Sequence, residues 1–166
     1  MKTTAFFTRI LSWLMGNKLT VDNSVVRELD LDRFLGSWYE VARFDHFFER
    51  GMSQTKANYV LRDDGNIDVI NTGIKNGRPK TAKGKAKLTD IPSLLRVSFF
   101  GPFYSDYRVM LVDADYRYML IGSGSDGYLW ILSRTPQLAD SDRAAILSEA
   151  KSRGYDTDKL IWVKQD

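Results

Sequence analysis

The sequence predicts an all-β domain in which eight antiparallel strands follow one another along the chain and close into an up-and-down barrel, with one C-terminal helix. Two observations support this prediction. Short segments rich in β-branched and aromatic residues recur from residue 29 onward, which is typical of strands. Turn-forming sequences such as Asp63-Asp64-Gly65-Asn66 separate them, and such short connections favour antiparallel neighbours.

The strands are bounded by these turns. We predict them at Ser37–Phe44, Gln54–Arg62, Ile67–Ile74, Thr81–Thr89, Leu95–Phe100, Tyr107–Val112, Tyr118–Ser123 and Tyr128–Arg134. A sheet of this size can hide its edges by closing on itself. After the last of them, an N-cap at Asp140 or Ser141 and a stop at Gly154 predict the helix. Leu160–Val163 predicts a short final strand.

The first 28 residues differ from the barrel domain predicted for residues 29–166. The apolar residues between Phe6 and Leu14 recur at helical spacing, which indicates an amphipathic helix. Arg9 interrupts the apolar stretch and no small-residue cleavage site follows. A helix lying on a membrane or another hydrophobic surface is therefore favoured over the alternative, a cleaved signal peptide. Residues 17–28 are polar and irregular, which is typical of a linker.

The composition excludes several classes of protein. The chain has 166 residues, of which 43% are hydrophobic and 27% charged, as in a single globular domain. No apolar run reaches the roughly 18 residues of a membrane-spanning helix. With no cysteine and one histidine, thiol nucleophiles and metal sites built from cysteine or histidine are excluded. Metal chemistry could then come only from carboxylates. We expect no metal, no cofactor and no catalytic residue.

The net charge of +3 comes largely from Lys75–Lys87, which holds six basic residues and no acidic one. Lys83, Lys85 and Lys87 alternate with small or apolar residues, as in a strand with one solvated face. Binding of an anionic surface, either phospholipid or nucleic acid, is the alternative interpretation of this stretch. We expect no nucleic-acid partner.

Alternation along the strands predicts which side chains face the barrel interior. The large inward residues include Tyr59, Val69, Phe99, Tyr107 and Tyr118. On the sixth strand, Leu111 is also predicted to face inward. For the last barrel strand, the alternation leaves two sets open. Small residues at Ala57, Ala82, Gly84 and Ala86 indicate space in a barrel whose interior either just fills or holds one small ligand.

Three motifs occur in order at spacings compatible with such a barrel. They are Gly36-Ser37-Trp38-Tyr39-Glu40, Asp113-Ala114-Asp115-Tyr116 and Leu132-Ser133-Arg134. Together they resemble the three signatures of the lipocalins. Two longer stretches, Val41–His46 and Ser98–Phe103, are similar to the bacterial outer-membrane lipocalins that are related to apolipoprotein D. The resemblance runs from about Leu29 to the C-terminus.

The resemblance implies a barrel closed at one end, with an apolar pocket that opens at the other. It implies structural roles for Gly36, Trp38, Tyr116 and Arg134, with Arg134 lying across Trp38 at the closed end. It also favours Trp130, Leu132 and Arg134 as the inward set of the last barrel strand. The candidate ligand contacts are then Tyr59, Val69, Phe99, Tyr107, Tyr118 and Trp130. Phe44, His46, Phe47 and Phe48 are expected over the mouth as an apolar lid, with His46 at the surface.

The resemblance also implies a function: non-enzymatic binding, storage or transport of lipid-like molecules such as fatty acids and lysophospholipids. A lipid-acting enzyme of the same fold is the alternative. The bacterial relatives are typically anchored through an acylated cysteine, which this sequence does not contain. We expect a location in the cell envelope or at a membrane, with Phe6–Leu14 making the contact, and a cytoplasmic location as the alternative. A homodimer stays open.

Overall fold

Nine strands form one sheet in the computed structural model, which describes residues 19–166. They are β1 (Gly36–Phe44), β2 (Ser53–Leu61), β3 (Ile67–Lys75), β4 (Arg78–Lys87), β5 (Leu94–Phe100), β6 (Phe103–Val112), β7 (Tyr118–Gly122), β8 (Leu129–Ser133) and β9 (Leu160–Trp162). A one-turn helix, α1 (Leu31–Phe34), precedes β1. The longer helix α2 (Asp140–Ser152) and a 3₁₀ turn (Thr157–Lys159) separate β8 from β9. The predicted helix at Phe6–Leu14 lies outside the described residues.

The first eight strands close into a barrel, which confirms the predicted fold class. Each strand pairs in antiparallel fashion with the next, and β1 also pairs with β8 from Tyr39–Ser133 to Arg43–Trp130. The other edge of β1 is divided between two strands. Its first part pairs with β2, and β9 takes over that edge from Ala42 onward.

The strand order sorts the connections between two ends of the barrel. Residues 45–52, 76–77, 101–102 and 123–128 connect strands at one end, here called the open end. Residues 62–66, 88–93 and 113–117, together with α1, lie at the opposite, closed end. Neither α1 nor α2, the two α-helices within residues 19–166, is long and apolar enough to cross a lipid bilayer.

The apolar side chains of residues 19–166 form two separate clusters. The inner cluster fills the half of the barrel nearest the closed end, around Trp38, Ile67 and Leu95. The outer cluster lies between the barrel wall and α2, where Ile146 and Ala150 of the helix are fully buried. Because α2 covers part of the wall, all five residues of β7 are buried, whichever face they occupy.

This covering explains why the inward orientation predicted for Tyr118 is wrong. Tyr118 belongs to the outer cluster, and its neighbours Met119 and Ile121 point into the barrel instead. Arg117, which suggested the opposite orientation, lies before the strand in a turn where its guanidinium pairs with Asp113. Leu111, also predicted to face inward, packs on the outer cluster because the β6–β7 register shifts after Val109.

The ends of α2 follow from local backbone chemistry. The helix begins one residue before the start expected from an Asp140 N-cap and two before that expected from Ser141, since Ala139 is the N-cap and makes no side-chain capping bond. Its end matches the predicted stop. Gly154 has φ +94°, and its amide donates to the carbonyl of Lys151 at 2.9 Å. A left-handed glycine here is the common way to end a helix.

Residues 19–28 have no regular secondary structure, yet they are bonded to the barrel. The amide of Val26 donates to the carbonyl of Val109 at 3.0 Å, and the Asn23 side chain donates to the carbonyl of Ser123 at 2.9 Å. Arg153, at the end of α2, donates to the carbonyl of Ser24 at 2.9 Å. The described part of the predicted linker therefore follows the barrel wall.

The closed end is sealed by a stack of Arg134 on Trp38. The guanidinium carbon of Arg134 lies 3.7 Å from the centroid of the buried indole, a cation–π geometry. The same guanidinium donates to the carbonyls of Ser37 and Leu35 at 2.8 and 2.9 Å. Gly36 has φ +93°, which turns the chain between these acceptors.

Tyr116 and α1 complete the closed end. Tyr116 accepts a hydrogen bond from the amide of Asp30 at 2.7 Å, and the Arg33 guanidinium carbon lies 4.6 Å from its ring centroid. The indole NH of Trp38 donates to the carbonyl of Phe34 at 2.7 Å. These contacts attach the segment before β1 to the base of the barrel.

We expect Arg134→Ala to destabilise the fold by about 1–3 kcal/mol, because it removes the stack and leaves part-buried carbonyls without a donor. Urea unfolding measures the loss. Arg62→Ala is the matched control, because Arg62 lies at the same end and pairs with the exposed carboxylates of Asp64 and Asp68. Equal stability of the two variants would contradict the structural role given to Arg134.

Candidate ligand-binding cavity

The half of the barrel nearest the open end encloses a cavity of about 770 Å³. It extends from the inner cluster to the open end, where residues of the connections 45–52 and 76–77 line its mouth. This volume lies within the range of about 300–1,000 Å³ that is usual for small-molecule sites.

Tyr59 and Tyr107 form the floor, and Phe34, which does not line the cavity, packs against both. The hydroxyls of Tyr59 and Tyr107 are 2.8 Å apart, and the Phe34 ring lies 4.7 Å from that of Tyr59, centroid to centroid. Burial raises the pKa of both phenols, so both stay neutral at physiological pH. Because one hydroxyl donates to the other, the pair has one remaining O–H to offer a ligand.

The walls combine large apolar side chains with small ones. Val69, Phe99 and Trp130 all line the cavity, and so do Ala57 and Ala82.

The other small residues predicted to leave space do not open the cavity. A methyl group on Gly84 would approach the Phe99 ring to 2.7 Å, so that ring occupies the space which the glycine leaves. Ala86 is buried in the inner cluster.

The mouth is lined by cationic and aromatic side chains. Arg78 and Lys80 share the inward face of β4 with Ala82, and Lys75 lies at the end of β3. The basic stretch Lys75–Lys87 is thus divided. Lys75, Arg78 and Lys80 line the mouth, whereas Lys83, Lys85 and Lys87 lie on the opposite face of β4.

A cluster of polar side chains is buried beside the cavity where β1 meets the 45–52 connection. Arg43 is 2% exposed and donates to the carboxylate of Glu40 at 2.9 Å. Its second terminal nitrogen donates to the carbonyls of Glu49 and Met52 at 2.9 and 3.0 Å. His46 Nε2 lies 3.4 Å from the Glu49 carboxylate. Arg43 therefore fastens the connection to the barrel wall.

Burial shifts the protonation of this cluster towards neutrality. It raises the pKa of Glu40 well above the usual value, with the Glu49 carboxylate as a further cause, and it also raises the pKa of Glu49. These shifts favour retention of a proton by the carboxyl pair, which leaves one negative charge to balance Arg43. Burial lowers the pKa of His46 to about 4.

The structure places five of the six candidate contacts around the cavity: Tyr59, Val69, Phe99, Tyr107 and Trp130. Tyr118 lies on the other side of the wall, as described above. Of the expected lid, Phe47 and Phe48 line the mouth, whereas Phe44 packs in the outer cluster. The surface position expected for His46 is wrong, since the side chain is buried against Phe48, Tyr128 and Trp130.

Sequence reasoning missed the acidic residues of the wall. Glu40 has the same parity as Trp38 on β1, and this signal could have placed it inside the barrel. No comparable signal exists for Glu49, which lies in a connection without regular structure.

We expect the imidazole of His46 to titrate with a midpoint near pH 4, because its burial disfavours the charged form. Because the pKa of His46 is lower in the folded state than in the unfolded state, its contribution to the free energy of unfolding is fully present above about pH 6.5. That contribution is lost as the pH falls towards 4. Proton NMR measures the midpoint without ambiguity, since the chain has one histidine. A midpoint near 6.5 would show that the side chain is solvated.

A family model described as a lipocalin-like domain matches residues 29–165 of the chain. Outer membrane lipoprotein Blc of Citrobacter freundii is 50% identical over 146 residues, which cover 86% of this chain and 82% of that protein. The protein of the same name from Escherichia coli K12 is 47% identical, with the same coverage. Apolipoprotein D of Mus musculus is 30% identical over 152 residues, covering 85% of this chain and 79% of that protein.

Solved structures show the same fold at lower identity. Lobster apocrustacyanin A1 superimposes with a TM-score of 0.71 at 20% identity, covering 91% of this chain and 89% of its own. Insecticyanin from the tobacco hornworm Manduca sexta gives a TM-score of 0.71 at 21% identity, covering 90% and 86%. The family model, the identity to the bacterial proteins and the closed barrel agree, and the chain belongs to the lipocalin family.

Proposed function

We propose that this protein binds single-chain lipids, such as fatty acids and lysophospholipids, and stores or carries them without chemical change. The observation that carries the proposal is a cavity of about 770 Å³ that is apolar within and lined by cations at its mouth. The amphiphilic ligand has the matching polarity, because its acyl chain is apolar and its head group carries an anionic carboxylate or phosphate.

Burial of the acyl chain supplies the affinity. Each methylene group transferred from water into the cavity contributes about 0.8 kcal/mol, so a long chain binds without many polar contacts. We assign the contacts to Tyr59, Val69, Phe99, Tyr107 and Trp130, which line the cavity between its floor and its mouth. The Tyr59–Tyr107 pair at the floor limits how deep the chain extends.

The cations of the mouth orient the ligand. Arg78 and Lys80 face inward at the top of β4, and Lys75 stands at the top of β3. A carboxylate or phosphate held near these groups leaves the acyl chain pointing towards the floor. The reverse orientation would place the anionic group at the floor, beside the neutral phenols of Tyr59 and Tyr107 and away from these cations.

The environment of His46 supports binding without catalysis. Both ring nitrogens lack a hydrogen-bond partner among the described residues, and the ring packs against aromatic side chains. A general base for a serine or threonine nucleophile needs a hydroxyl within hydrogen-bond reach, and no such hydroxyl bonds to His46 within residues 19–166.

We propose the cell envelope as the site of action. The similar proteins of Citrobacter freundii and Escherichia coli are named outer membrane lipoproteins, which supports this location. The proposed membrane contact through Phe6–Leu14 lies outside the described residues.

Trp130→Phe should remove most of the change in tryptophan fluorescence that a fatty acid causes, because Trp130 lines the cavity. Phenylalanine keeps an apolar wall, so the affinity measured by calorimetry should change little. Trp162→Phe is the control, since Trp162 packs on the outer cluster. An undiminished fluorescence change in Trp130→Phe would contradict the assigned site.

The double variant Arg78→Gln/Lys80→Gln should weaken binding of a fatty acid about fivefold, the size expected for partly solvated charge pairs. Binding of the fatty alcohol of equal length, which carries no charge, should be unchanged. Lys85→Gln/Lys87→Gln removes equal charge from the outward face of the same strand and should affect neither ligand. Equal weakening of acid and alcohol would contradict an anionic head group at the mouth.

A further inference from the structure

Two phenylalanines are exposed at the tip of the β5–β6 hairpin. Phe100 is 44% exposed and Phe103 is 50% exposed, although large apolar side chains are usually covered. The two residues pair across the hairpin around Gly101 and Pro102. The tip stands at the open end, and Phe100 also lines the cavity mouth.

Unpaired positive charge lies at the same end. Lys75, Arg78 and Lys80 line the mouth, and among residues 19–166 no carboxylate lies within ion-pair distance of them. The carboxylates that line the same cavity are otherwise engaged: Asp106 pairs with Arg96 and Arg108, and Glu40 and Glu49 are buried against Arg43. The face therefore combines exposed aromatic rings with a positive charge that no neighbouring residue neutralises.

We propose that this face docks on an anionic lipid bilayer, with Phe100 and Phe103 entering the interfacial region and Arg78 and Lys80 meeting the lipid phosphates. The exposed rings match the apolar part of the membrane interface, and the cations match its anionic head groups. Apolar rings gain free energy on leaving water, and basic residues are attracted to anionic head groups. Docking by this end would bring the cavity mouth against the membrane.

The consequence for ligand exchange rests on the proposed function. A lipid that passes between the bilayer and a mouth pressed against it leaves little of its acyl chain in water. The docking itself depends only on the surface of the open end, so the two proposals can fail separately.

Co-sedimentation of the full chain with vesicles tests the docking. Vesicles of phosphatidylcholine with phosphatidylglycerol should bind the protein, and vesicles of phosphatidylcholine alone should bind it much less. Phe103→Ser should lower binding to the anionic vesicles about fivefold or more. Ile91→Ser is the matched control, because Ile91 is 48% exposed at the closed end. An equal effect of both substitutions, or none, would overturn the proposal.

Phe103 does not line the cavity, so Phe103→Ser should leave fatty-acid binding in solution unchanged. Loss of vesicle binding with intact fatty-acid binding supports docking, and intact vesicle binding with lost fatty-acid binding contradicts it. Sedimentation velocity tests the alternative that this face binds a second copy of the chain. A change of oligomeric state in Phe103→Ser without a change in vesicle binding would overturn the proposal.

A fluorescent label reports which end meets the membrane. The chain has no cysteine, so Pro102→Cys and Asp90→Cys each create one labelling site, at the open and closed ends respectively. A polarity-sensitive dye should shift to shorter wavelength on anionic vesicles at position 102 and not at position 90. A shift at position 90 alone would overturn the proposal.

Discussion

The cavity depends on the ring of backbone hydrogen bonds that closes when β1 pairs with β8. Once the sheet is closed, every inward side chain faces another wall, and the space between the walls is fixed by the number of strands. What varies along the barrel axis is the size and polarity of the inward residues. At the closed end they are large and interlock around Trp38 and Phe34, whereas Ala82, Lys80 and Arg78 stand at the open end. Side chains therefore fill the barrel at the closed end and leave a cavity at the open end.

The fold could be predicted from the sequence wherever one face of a strand meets water. On β3 and β5 the charges of Asp68 and Arg96 mark the solvated face, and the inward residues Val69 and Val97 follow from them. The same reasoning gave the wrong orientation for Tyr118, because α2 covers the outer face of β7 and polarity no longer separates the two sides. A register shift, as after Val109, leaves no mark in the hydrophobic pattern either.

The cavity site was only partly predictable for a related reason. Its apolar residues follow from alternation, apart from Trp130, which only the family resemblance selected. The burial of His46 depends on rings that are distant in sequence, Tyr128 and Trp130. The sequence does not distinguish the inward cations Arg78 and Lys80 from the lysines that follow them on β4, because the whole stretch is basic. Only the alternation of side chains along the strand separates the two groups.

The positions of the strongest motifs now have a physical explanation. Gly36, Trp38, Tyr116 and Arg134 all belong to the closed end, where they hold α1 against the base of the barrel through a stack and several backbone acceptors. At the open end, the 45–52 connection is held by Arg43 instead, through two carbonyl groups and the carboxylate of Glu49. The contacts that close the base thus lie at the opposite end of the barrel from the mouth of the cavity. The four motif residues at the closed end therefore lie away from the cavity and say little about what it holds.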